Sequence, residues 1–422
     1  MKFKSTYFLI ILIPFLGFSS CELFRNDPGI PVNDDIWVNA YLASWQHDPE
    51  TRPSTGTKIK TSEINWDAMT HMTYFSLSIA ESGMPSQDLD SLGNFNSERL
   101  YSIVPAAHAH DKTIIFSVGG GGNYAGFSGA IESQNRTVFI QTIHHILKEY
   151  GFDGVNLSMP PFIAPAGSSS SQAEAEYLNY RANFSAFVVQ LYNSFEDFRT
   201  NRNRKPLITI AALKNAELIS LYAELQPYFD QINILSYDMA QPWRGWQAWH
   251  NSALYNKNEF FDDNPNLKFP SINRKVDEFI EEGIDRKKIG ITINFYGADW
   301  EGVNLFGKWP GWPTQDMSIY SNATYPELSE AYNLAEYEWD KNAKVPFLNL
   351  ENPSRFVSFE NDASIREKIL YAKEKRIGGV MIWELGGGFF PEKTGALKEP
   401  LLQSVKKYAF TPHELIKQSP GE

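Results

Sequence analysis

From Trp37 onward, short runs of β-branched and apolar residues alternate with stretches in which apolar side chains recur every three or four positions. The runs predict strands over Trp37–Ser44, Met72–Ile79, Thr113–Val118, Phe152–Leu157, Leu207–Ala212, Ile232–Tyr237, Ile289–Phe295 and Gly379–Trp383. Several are nearly continuous in apolar residues, as parallel strands buried on both faces are. Between them Phe139, Ile143, Ile146 and Leu147 line one face of a helix. Further helices are predicted from about Ala173 to Phe195 and from Ser364 to Lys375. Strand–helix alternation repeated about eight times predicts an α/β fold of the (β/α)8, or TIM, barrel type. The rival, a doubly wound open sheet, wants a glycine-rich phosphate turn after its first strand, and the sequence has none there.

Two stretches are too long to be simple connections. One, Ala166 to Ser171, is a loop of small residues after the fourth strand. The other, Trp300 to Phe359, holds Trp309, Trp312, Tyr320, Tyr325, Tyr332 and Trp339. It is expected to form a small α+β insertion after the seventh strand. Ligand sites of such barrels lie at the C-terminal strand ends, so this insertion would wall the mouth. The expected organisation is a barrel over 37–410, with the insertion at 300–359, followed by a C-terminal tail at 411–422.

Ahead of the barrel, Lys2 and Lys4 precede a run from Phe8 to Phe18 that is almost unbroken in apolar residues. Ser19, Ser20 and Cys21 follow. The run is short for a membrane span and reads as an export signal over residues 1–20. Its small-small-Cys ending resembles the bacterial lipoprotein signal. That resemblance implies cleavage before Cys21, lipidation of its thiol, and a lipid-anchored protein of the bacterial cell envelope, with residues 21–36 as a tether. The other reading is an ordinary secretory signal with an incidental cysteine. Cys21 is the only cysteine, so no internal disulfide is possible.

The chain of 422 residues carries a formal net charge of −12, and its basic residues form no block. Such a surface repels phosphate backbones, which argues against nucleic acid and leaves neutral ligands such as sugars open. His108 and His110 are two apart and His144 and His145 adjacent; neither spacing suits a metal site on a helix. No cofactor is implied.

The strand ends carry further motifs. The third ends Ser117-Val118-Gly119-Gly120. The fourth reads from Phe152 through Asp153, Asn156 and Ser158 to Pro160. The sixth ends Ser236-Tyr237-Asp238-Met239, the seventh Asn294-Phe295-Tyr296-Gly297, and the eighth Ile382-Trp383-Glu384. In this order and spacing they resemble the chitinases of glycoside hydrolase family 18, over roughly Val38 to Lys407. The resemblance implies a cleft for chitin or other N-acetylglucosamine-containing oligo- or polysaccharides. It implies a sugar stacked on Trp383, an acetamido oxygen bonded by Tyr237, and walls from Asp238, Met239 and Tyr296. Its fourth-strand signature is Asp-x-x-Asp-x-Asp-x-Glu, expected to point into the barrel. There the Glu protonates the leaving oxygen and the preceding Asp holds the acetamido group that attacks the sugar carbon. Here those four places are Asp153, Asn156, Ser158 and Pro160. Pro160 has no proton to give and Ser158 no charge, so a catalytically degenerate, carbohydrate-binding member is expected.

The family often has Trp after its Gly-Gly turn and Arg after Tyr-Gly on the seventh strand. This chain has Gly121-Gly122-Asn123 and Ala298. Trp243, Trp246 and Trp249 crowd the loop after the sixth strand, either as a stacking platform or as packing against the insertion. Two other functions stay open: a glycosidase with relocated carboxylates at Asp238, Asp299 or Glu384, and a protein-binding scaffold.

Overall fold

The computed structural model describes residues 33–49, 58–86, 95–158, 162, 169–213, 215–256, 260–261 and 264–418. The export signal, Cys21, most of the tether and Pro160 lie outside the described residues. The barrel strands are β1 (Trp37–Ala43), β2 (His71–Leu77), β3 (Thr113–Gly119), β4 (Gly154–Ser158), β5 (Leu207–Ala212), β6 (Gln231–Ile234) and β7 (Ile289–Asn294). The insertion follows with β8 (Tyr296–Glu301), β9 (Tyr320–Thr324), β10 (Glu338–Asp340), β11 (Val345–Glu351) and β12 (Ser354–Ser358). The last barrel strand is β13 (Gly379–Trp383). The eight barrel strands close in the order β1-β13-β7-β6-β5-β4-β3-β2, with every pairing parallel.

Helices return the chain between strands as the apolar periodicity predicts. Those over Arg136–Tyr150, Ser170–Ser194 and Asp362–Lys375 match the three expected. The β1-to-β2 connection runs instead through 3-10 turns at Ser44–Gln46, Thr61–Glu63 and Trp66–Ala68. The helix of Phe139 packs on the next through ring contacts. Phe139 stacks on Phe187 at 4.7 Å and meets Phe127 edge-on at 5.9 Å.

The barrel interior is polar as well as apolar. Thr73 donates to Asn39 Oδ1 (2.8 Å), Asn39 to Gln231 (3.0 Å), and Asn233 to the same Gln231 oxygen (3.2 Å). One layer up, Ser117 donates to Asn156 (3.1 Å) and Asn156 to Thr209 (2.8 Å). These uncharged groups satisfy one another, which removes most of the penalty of burying them.

The insertion is a five-stranded antiparallel sheet in the order β9-β8-β12-β11-β10, with a short helix at Tyr325–Ala331. It begins at Tyr296, earlier than expected, because only Phe295 separates β7 from β8. Trp300, the expected start, is already paired between Tyr320 and Phe356. Strand β6 ends at Ile234, short of the predicted Tyr237, and Asp238 beyond it takes φ +45°. The described residues that flank the barrel dock on the helix over Asp362–Lys375. Asn33 and Asp34 bond to Lys373, Ile36 is buried, and within the C-terminal tail a helix at His413–Gln418 buries Ile416.

Phe187→Ala removes the ring stacked on Phe139 and leaves a cavity between two helices. A loss of about 3–5 kcal/mol in unfolding free energy is expected, read by denaturant titration.

Candidate functional site

Rings converge at the C-terminal end of the barrel. Trp383, the last residue of β13, is half-buried. Phe75 from β2 stands perpendicular to it at 4.9 Å, and Tyr41 from β1 meets it edge-on at 5.7 Å. Tyr237 lies nearly parallel to it at 6.3 Å and contacts Tyr296 at 5.9 Å. Strand β3 ends beside these rings at Gly119 and Gly120. A Cβ on Gly120, at φ +113°, would stand 2.9 Å from Phe75 Cζ, so only glycine lets the turn rest on that ring. Trp45, just past β1 and 43% exposed, carries the row outward by an edge contact with Phe75 at 5.9 Å.

The polar groups sit on the insertion side. Tyr296 donates its hydroxyl to Asp238 Oδ1 (2.7 Å), and Asn322 from β9 approaches the same oxygen (3.5 Å). Burial, and then the Asp238 charge, hold the Tyr237 and Tyr296 phenols above their ordinary range, so both keep their protons. Tyr41 is likewise raised by burial, with Thr73 and Asn156 beside its hydroxyl.

The fourth-strand residues separate. Asn156 lies in the barrel, bonded as described, and Ser158 ends β4 half-buried. Asp153 does not point into the barrel. It precedes β4 at the opposite end and faces outward. There His108 Nε2 and the Ile114 N–H both meet its Oδ2 at 3.0 Å. The offset of three between Asp153 and Asn156 puts them on opposite sides of the strand, because side chains alternate with a period of two. The surviving carboxylate is thus a structural clasp between strand and helix.

Met239 and, on the tryptophan loop, Trp246 and Trp249 take up packing positions. Met239, expected on the wall, is 1% exposed and packs in the main core. Trp249 is buried against Phe306 of the insertion (5.3 Å) and Phe269 (4.7 Å), and donates its indole N–H to the Pro270 carbonyl (3.0 Å). Trp246 wedges against Phe261 (4.9 Å), and its carbonyl accepts from Trp312 of the insertion (3.0 Å). Trp243 is the outermost of the three, edge-on to Trp246 at 4.7 Å. Packing against the insertion therefore accounts for Trp249 and largely for Trp246.

Of the alternative carboxylates, Asp299 lies within β8, on the opposite face from Tyr296, and is held by Arg355 and Tyr332 at 2.7 Å each. Glu384 turns its carboxyl onto backbone, accepting from the Gly386 N–H at 3.1 Å. Burial pushes that carboxyl up to about 7, opposed by the N–H groups of Gly386, Ala43 and Gly387. Asp238 is engaged by Tyr296. Phe75, Tyr41, Trp45 and Asn322 were not picked out from sequence. Trp45 could have been, as an aromatic just beyond a strand's C-terminal end. Asn322 reaches the site only through the pairing of β9 with β8.

A (β/α)8 barrel with an α+β insertion and an aromatic mouth is the class that fold and site define. The family described as "Glycosyl hydrolases family 18" matches residues 38–388, and the chain belongs to that family. It is 27% identical over 296 residues to chitinase A1 of Niallia circulans, covering 65% of this chain and 40% of that protein. It is 25% identical over 346 residues to chitinase B of Serratia marcescens, covering 66% of this chain and 65% of that protein. The chain thus spans less than two thirds of either relative. Its fold matches human YKL-39, described as a pseudo-chitinase with retained chitooligosaccharide binding properties. That match has a TM-score of 0.70 at 20% identity and covers 89% of this chain and 100% of that one.

The raised Glu384 carboxyl gives a pH signature. The folded state binds this proton more tightly than the unfolded chain, where Glu titrates near about 4.3. Its contribution to stability is therefore full in acid and is lost as pH rises through the window ending at about 7. Glu384→Gln is expected to flatten that part of the melting-temperature profile, measured by calorimetry across the window.

Proposed function

We propose that this protein binds chitin or other N-acetylglucosamine-containing glycans at its barrel mouth without cleaving them. The observation that carries the reading is the sequence's Ser158 and Pro160 at the places where the resemblance puts the catalytic Asp and Glu, together with a mouth lined by Trp383 and Tyr237. Aromatic faces suit the C–H side of a pyranose ring, and a protonated Tyr237 can donate to an acetamido oxygen. Losing general acid help alone costs about 10²–10⁴ in rate. The kind of protein that YKL-39 is described as being supports the same reading.

Relocated catalysis has less support. Asp299 is turned away and neutralised by Arg355, and Glu384 is spent on backbone N–H groups. Asp238 is the one carboxylate of the three held at the mouth.

The test is titration with chito-oligosaccharides followed by tryptophan fluorescence, with product analysis alongside. Saturable binding without released sugar is expected. Trp383→Ala should weaken binding by at least about 2 kcal/mol, roughly 30-fold in Kd. Steady release of sugar by the unsubstituted protein would refute the reading.

The anchor is proposed on the sequence alone. Lipidation at Cys21 would tether the barrel to a membrane of the bacterial cell envelope through residues 21–36. Cys21→Ser should move the full chain from the detergent phase to the aqueous phase on phase partitioning. An unchanged distribution would rule out lipid at Cys21.

A further inference from the structure

The bend that carries Asp238 is held from behind by one residue. Asp238 sits at φ +45°, a region that non-glycine residues seldom occupy, so the surrounding structure must hold it there. The Asp238 N–H donates to the side-chain oxygen of Asn251, and the Met239 N–H donates to the main-chain oxygen of Asn251 (3.0 Å). Two successive amides of the bend thus end on a single residue.

Asn251 is in turn fixed to the insertion. Its N–H donates to Ser358 Oγ (3.1 Å), at the end of β12. Ser358 pairs with Ala298 of β8, two residues along the same face from Tyr296, whose hydroxyl bonds Asp238. The contacts close a ring: Asp238, Asn251, Ser358, Ala298, Tyr296 and back to Asp238.

The neighbours of Asn251 are anchored as well. His250 Nε2 meets Asp340 at 3.0 Å in the insertion, between the rings of Phe347 and Phe356. Ser252 Oγ donates to the Ser236 carbonyl (2.7 Å) and accepts from buried Lys368 (2.9 Å), which pairs with Glu360. Asn251 is 1% exposed, and its amide nitrogen meets no partner among the described residues. A buried donor left unpaired costs stability, so the amide is a poor choice for packing alone.

We infer that Asn251 is a positioning residue for Asp238, through which the insertion sets the placement of a ligand-facing acid at the barrel mouth. The role in binding rests on the glycan reading; the structural role does not.

Two measurements on the full chain separate them. The first, without ligand, is amide hydrogen exchange of Asn251→Leu and Ser358→Ala. Exchange at Asp238 and Met239 should speed up roughly tenfold or more in Asn251→Leu and by less in Ser358→Ala, with the barrel strands unchanged. Unchanged exchange at the bend, or a uniform rise across the barrel, overturns the inference. If Asn251→Leu does not fold, Ser358→Ala decides on the same criterion. The second is a double-mutant cycle on chito-oligosaccharide affinity. Asn251→Leu combined with Asp238→Asn should be no weaker than the worse single variant, because both act through one carboxylate. Additive losses overturn the positioning role in binding. A wild-type chain that ignores the sugar defeats the glycan reading, while the exchange data still decide whether Asn251 holds the bend.

Discussion

Closure of the β1–β13 seam is the constraint on which everything else depends. A parallel ring leaves no free edge only when its first and last strands pair, and here that pairing runs from Trp37↔Gly379 to Ala40↔Ile382. The Trp37 indole lies across the seam, where a Cβ on Gly378 would stand 1.9 Å from its ring. Its N–H reaches Asn233 Oδ1 at 3.4 Å and so joins the buried amide layer. With the seam closed, the C-terminal ends of β1, β2, β6 and β13 face one another, and rings far apart in sequence meet.

The hydrogen-bonded side chains inside the closed ring are uncharged amides and hydroxyls. Asn39, Thr73, Ser117, Asn156, Thr209, Gln231 and Asn233 satisfy one another without a titrating group in the chain of bonds. The carboxylates sit elsewhere. Asp153 clasps a helix at the far end, Glu384 caps a turn, Asp299 pairs with Arg355, and Asp238 bonds a tyrosine at the rim. Each of these four carboxylates accepts a hydrogen bond from a protein group. The mouth combines the rings of Trp383, Tyr237 and Trp45 with the polar groups of Asp238 and Asn322.

The insertion does more than raise a wall. Among its contacts with the barrel are Tyr296 to Asp238, Ser358 to Asn251, and the Trp312–Trp246 bond. Each ends on the segment that follows β6. Within that segment Met239 and Leu254 join the barrel core, whereas Trp249, with Trp246 packed beside it, belongs to the insertion's own core. The placement of the site's acid is therefore shared between two structural units.

Sequence by itself determined the barrel, because near-continuous apolar strands alternating with amphipathic helices have few other ways to bury both faces. It also determined the family, through strand-end motifs in order, and the identity of Ser158 and Pro160. Tertiary structure decided what periodicity cannot express. The start of the insertion at Tyr296 depends on its antiparallel pairing with Thr324, in a strand that no local periodicity links to it. Asp153 turned outward because the strand's twofold alternation overrides its place in a motif. Trp249 became core, while Phe75, Tyr41 and Asn322 joined the mouth, because which rings meet is set by the closing of the ring and not by their spacing along the chain.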